Sequence, residues 1–102
     1  MKTTQSRSLR VLLVDDSEVV RMGLRALLGG EADIEVVGEA TSIATAVQSS
    51  IKLKPEVVLL DIRLPDGNGF DACRQILRQL PDTRILVLTS VEETNIVDEA
   101  IR

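Results

Sequence analysis

Aromatic side chains are nearly absent from this sequence: Phe70 stands alone, without a tryptophan or tyrosine in 102 residues. Stacking of bases on exposed rings, a usual grip on single-stranded nucleic acid, is thereby disfavoured. A surplus of positive charge is lacking too. The net charge of −4 leaves no cations in excess to release counterions from a phosphate backbone, so direct nucleic-acid binding is not expected of this segment. Cysteine occurs once, at Cys73, which excludes an internal disulfide; it falls in an apolar helical stripe and reads as a core residue in a reducing compartment. Long apolar runs are missing as well. Residues 11–14 are apolar, but Asp15 and Asp16 end the run far short of a signal-peptide core or a membrane span. A cytoplasmic location without membrane contact is the expectation.

What remains is an apolar content of 44%, carried by Val, Ile, Leu and Ala. That suffices for one domain, which at this length buries roughly 60 to 70 per cent of the chain's accessible surface on folding. Residues 1–9 are polar and lack periodicity, so they read as a flexible leader, with the domain over 10–102.

The run Val11, Leu12, Leu13, Val14 predicts a strand buried on both faces. From Glu18 the spacing turns helical, with Val20, Leu24, Leu27 and Leu28 inward and a stop at Gly29 and Gly30. Ile34, Val36 and Val37 mark a second strand, and Ile43, Val47 and Ile51 the inner face of a second helix closed by Pro55. A third strand covers 57–60, a loop 61–68, and a third helix turns Phe70, Cys73, Ile76, Leu77 and Leu80 inward before Pro81. A fourth strand covers 85–88, and Val97 with Ile101 begins a fourth helix. Strict alternation of strands and helices implies a parallel sheet with right-handed crossovers.

The acids fall in a telling place. Asp15 and Asp16 follow the first strand and Asp61 follows the third. Taken singly, the first two read as helix caps and the third as a turn residue. Together they lie at strand carboxyl ends, where an open α/β sheet binds ligands at the reversal of strand order; the order 2-1-3-4 sets strands one and three side by side there. Three converging carboxylates repel one another, and a hard divalent cation with oxygen ligands, Mg²⁺ above all, removes that cost. Thr89 and Ser90 follow the fourth strand; Ser90, with Glu93 three residues on, fits a helix cap, which leaves the Thr89 hydroxyl for the crevice.

In these motifs, together with Leu64-Pro65-Asp66-Gly67, residues 10–102 resemble the receiver domains of two-component response regulators. The resemblance implies a flavodoxin-like doubly wound α/β fold and transfer of a phosphoryl group from a histidine kinase to Asp61. It further implies Mg²⁺ held by Asp16, Asp61 and the backbone carbonyl of Arg63, with Asp15 supporting the ion through water, and a phosphoryl contact from Thr89 that switches an output or partner surface. Self-phosphorylation and self-dephosphorylation are the most catalysis it implies. The phrasing of residues 34–40 and 61–67 is similar to the subgroup with helix-turn-helix output, so contact with DNA is expected only through an output domain outside these residues.

The family's fifth strand, with its lysine and aromatic, and the helix after it are expected beyond residue 102. Lys52 and Lys54 lie at the opposite end of the sheet, and Arg63 is the one cation of the loop itself. The fourth strand is then an edge, so a homodimer or segment-exchanged oligomer through it or the last helix is expected. A phosphorylation-independent interaction module is the alternative. An aspartate-nucleophile phosphatase needs a second acid two residues after the first, where Arg63 stands, and a flavin phosphate would be repelled by Asp15 and Asp16.

Overall fold

A computed structural model describes residues 8–88. Four parallel strands, β1 (Leu9–Val14), β2 (Ile34–Ala40), β3 (Val57–Asp61) and β6 (Arg84–Leu88), form a sheet in the order β2-β1-β3-β6. A short antiparallel hairpin, β4 (Arg63–Leu64) and β5 (Gly67–Asn68), lies between β3 and β6 in the chain. The sheet order is the expected 2-1-3-4, with the hairpin taking two strand numbers. Helices α1 (Glu18–Gly29), α2 (Ile43–Leu53) and α3 (Gly69–Gln79) make the crossovers. Because β1 to β2 runs across the sheet in the opposite sense to β2 to β3 and β3 to β6, right-handed crossovers place α1 on one face and α2 with α3 on the other.

The row Leu12, Val58 and Ile85 and the row Val14, Leu60 and Val87 share register. They pack with Ala40, Ile43, Ala46, Leu64, Ala72 and Ile76 into one core under α2 and α3. Leu13 is as inaccessible as Leu12, so the central strand is covered from both sides.

Several inward assignments are corrected. No α1 residue is fully buried, and Leu27 is 72% exposed. Helix α2 buries Ile43, Ala46 and Ser50 while Ile51 faces solvent, and α3 buries Gly69, Ala72 and Ile76 while Phe70 and Leu77 are exposed. Ala46, Ser50, Gly69 and Ala72 let the helix axes come close to the sheet, while Ile43 and Ile76, both expected inward, fill the core. Cys73 is partly buried against the core, and burial pushes its thiol up. The region 61–68, expected as a loop, contains the hairpin. Thr89, Ser90 and the fourth helix lie outside the described residues, as does most of the leader.

Candidate metal centre

At the carboxyl end of β1 the Asp15 N–H still follows the sheet, donating to the Ala40 carbonyl at 3.0 Å. Its side chain is 7% exposed, and Oδ1 accepts the Ser17 N–H at 2.8 Å. Ser17, rather than either aspartate, caps α1, its Oγ accepting the Val20 N–H at 3.2 Å. Asp16 is thus released from capping; its side chain is exposed.

Asp61 is the last residue of β3, paired with Leu88, so strand hydrogen bonding fixes its backbone. Its Oδ1 accepts the Arg63 N–H at 3.2 Å. Behind it Gly69 closes the loop, donating its N–H to the Ile62 carbonyl at 2.6 Å. A Cβ at Gly69 would stand 2.6 Å from the Asp61 carbonyl oxygen, so glycine is required by that close approach.

These two strand ends bring together three of the expected ligands. One carboxylate oxygen from each of Asp15, Asp16 and Asp61 lies within 4.8 Å of the others. An octahedral Mg²⁺ places oxygens at most roughly 4 Å apart, so small side-chain movements close the present span. The donor set is all carboxylate, which suits a hard cation. Arg63 opens β4 two residues past Asp61. A cavity of about 420 Å³ adjoins the acids, lined also by Ser17, Val20, Leu24 and Leu88. A larger one, about 600 Å³, sits at the other end of the sheet among Lys54, Thr83 and Arg84. That places Lys54 away from the acids, as expected.

Two supports went unread in the sequence. Arg21 on α1 donates from Nη1 to the Asp15 carbonyl at 2.7 Å and from Nε to Glu39 Oε1 at 2.8 Å, and Arg25 pairs with the same carboxylate. Burial pushes the Glu39 carboxyl up, but the Arg25 and Arg21 guanidiniums outweigh it, and the net direction is down. The available signal was the pair Arg21 and Arg25, one helical turn apart, with Glu39 next to the end of β2. The second support is Asp66, whose carboxylate accepts the Ile43 N–H at 2.7 Å and the Ala44 N–H at 3.1 Å at the start of α2. The Ile43 N–H, followed by that of Ala44, holds the Asp66 carboxyl below its ordinary value against a smaller opposing effect of burial.

The chain matches the family of response regulator receiver domains over residues 11–102. The DNA-binding transcriptional activator DevR/DosR of Mycobacterium tuberculosis is 49% identical over 92 residues, covering 90% of this chain and 42% of the relative. The transcriptional regulatory protein LiaR of Bacillus subtilis is 48% identical over 82 residues, covering 80% of this chain and 39% of the relative. The chain therefore spans about two-fifths of the length of these curated relatives. Among solved structures, the response regulator domain of Thermotoga maritima CheB superposes with a TM-score of 0.80 at 40% identity, covering 94% of this chain and 72% of that one. No helix among the described residues is long and apolar enough to cross a membrane.

Proposed function

The chain belongs to the response regulator receiver domain family, and from that premise we propose that it accepts a phosphoryl group on Asp61 from a histidine kinase. The convergence of Asp15, Asp16 and Asp61 at two adjacent strand ends carries this reading. Asp16, Asp61 and the Arg63 carbonyl would hold Mg²⁺, with Asp15 supporting it through water. The ion's chemistry, when bound, is to neutralise the crowded carboxylates and the incoming phosphoryl oxygens.

The residues of the chain do the remainder. A carboxylate oxygen of Asp61 attacks phosphorus as the bond to the kinase imidazole nitrogen breaks; the imidazole leaves and takes up a proton from solvent. The Arg63 N–H on Oδ1 orients the carboxylate for that attack. Thr89, next in the chain after the cavity-lining Leu88, would bond the bound phosphoryl group through its hydroxyl and so bias a partner surface. Self-phosphorylation and self-dephosphorylation are the extent of the catalysis proposed.

Two relatives are named as transcriptional regulators, one of them DNA-binding. The proposed output is accordingly transcription control in the cytoplasm, through a DNA-binding region other than this acidic segment. Self-association through the fourth strand or the last helix belongs to the same proposal; a stable monomer by sedimentation at high concentration would remove it.

Intact-mass spectrometry after addition of a small phosphodonor with Mg²⁺ tests the central claim. One phosphoryl group is expected on the chain and none on Asp61→Asn. Mg²⁺ binding without any Asp61-dependent mass gain would instead identify a phosphorylation-independent interaction module.

A further inference from the structure

The turn between β4 and β5 bears Asp66, and the root of the same hairpin bears Arg63. A two-stranded hairpin with two residues a side has little stability of its own in water. This one is fastened at its tip. The Asp66 carboxylate takes the Ile43 and Ala44 N–H groups, and Gly67, at φ 147°, lies so near α2 that an added Cβ would meet Ile43 Cδ1 at 2.9 Å. The buried Leu64 provides a second anchorage in the core.

The first turn of α2 shows how complete the connection is. Ser42 Oγ accepts the Thr45 N–H at 3.1 Å, and the Ala46 N–H reaches the Ser42 carbonyl at 2.9 Å. The two donors that the helix's own cap leaves over, those of Ile43 and Ala44, are the ones Asp66 takes. A helix whose first N–H groups are held by a residue twenty-odd positions away is tethered to it, so the Asp66 bonds link the loop that follows Asp61 to the start of α2.

We infer that Asp66 is a positioning residue for the phosphoacceptor site: by tying the hairpin tip to the start of α2, it holds the Arg63 carbonyl in place to ligate the cation beside Asp61. The inference rests on the reading of Asp16, Asp61 and Arg63 as the Mg²⁺ ligands. Groups that orient ligands commonly change metal affinity by about 10- to 100-fold when removed.

The test compares Asp66→Ala, Asp66→Asn and Ser42→Ala in the whole chain. Mg²⁺ affinity is read by calorimetry, and the exchange of the Arg63 and Asn68 amides is read by NMR without metal. Ser42→Ala weakens the same helix start without touching the hairpin, so it reports loss of α2 alone. Asp66→Ala is expected to weaken Mg²⁺ binding about 10-fold and to speed exchange at Arg63 and Asn68. Asp66→Asn, which keeps one acceptor, should fall between it and the parent, and Ser42→Ala should leave both readouts unchanged. Equal losses in Asp66→Ala and Ser42→Ala would reduce the effect to helix stability, and equal losses in Asp66→Ala and Asp66→Asn would reduce it to charge; either overturns the inference. A parent chain that binds Mg²⁺ with an unaltered Asp66→Ala overturns the inference alone, whereas a parent chain that takes no Mg²⁺ overturns the metal reading beneath it.

Discussion

On one face of the sheet, Leu12, Val14, Val58 and Leu60 are sealed under α2 and α3; on the other, α1 buries no residue fully and leaves Leu27 and Leu86 in solvent. The candidate site straddles the two. Asp61 and its hairpin are fastened to the sealed face through Leu64, Gly69 and the Asp66 tie to α2. Asp15 is secured from the thinner face by Arg21 of α1, which bonds its carbonyl, and by the Ser17 N–H on its carboxylate. The two halves of the candidate site thus depend on partly unlike supports. The Asp61 half rests on burial together with the Asp66 hydrogen bonds to α2, and the Asp15 half on the charged and hydrogen-bonded contacts of Arg21 and Ser17. Their responses to truncation and to pH should therefore differ.

The largest expected effect tests the contrast in burial. Leu60→Ala removes a side chain with no accessible surface and should cost about 2 to 5 kcal/mol, whereas Leu27→Ala should stay within about 0.5 kcal/mol. Equilibrium urea unfolding of the two variants measures both. A Leu27→Ala loss as large as that of Leu60→Ala would mean that α1 is covered in solution, and the contrast between faces would fail.

An intermediate effect tests the polar support. Glu39→Gln should cost about 1 kcal/mol at pH 7, because Arg21 and Arg25 lose their common carboxylate. The sign of the pH dependence follows from the lowered carboxyl. Its contribution is complete above the unfolded value of about 4.3 and is lost as pH falls through the lower folded value. Urea midpoints of parent and variant should therefore differ at neutral pH and converge in strong acid. A gap that persists unchanged into acid would assign the cost to packing instead of charge.

The alternation of strands and helices and the acids at strand ends were legible because both are patterns repeated along the chain, whereas the strand order came from the flavodoxin-like fold that the resemblance implies. Runs such as residues 11–14 mark strands covered on both faces, and acids placed directly after two such runs must meet once those strands are neighbours. Side-chain facing was less legible. Ile43 and Ile76 were read correctly, but the eye also follows Leu27, Ile51 and Phe70, while Ala46, Ser50 and Ala72 share the buried contact. The roles of Arg21, Glu39 and Asp66 went unread because each acts on a partner distant in sequence. Asp66 sits in a turn where an aspartate has a sufficient local explanation, and only the fold brings the α2 start to meet it.

The smallest expected effect concerns how the helices of the two faces end. Gly29-Gly30 suggests a left-handed glycine cap for α1, yet Gly30 has φ −79° and ψ −9°, a right-handed conformation open to any residue. The left-handed cap is on α2 instead, where Lys54 has φ 51° and ψ 60° with a Cβ to accommodate. Lys54→Gly should relieve that strain and stabilise the chain by about 0.5 kcal/mol after the added flexibility of the unfolded state is subtracted. Gly30→Ala should gain about 0.5 kcal/mol by restricting the unfolded chain, since the nearest atom to an added Cβ is the Leu27 carbonyl oxygen at 3.7 Å, an ordinary contact. Thermal melts of the two single variants and the double variant measure this. Helix ends on opposite faces share no partner, so the gains should add. A double variant falling short of the sum would show that α1 and α2 are coupled through the sheet, and the separation of the two faces would have to be abandoned.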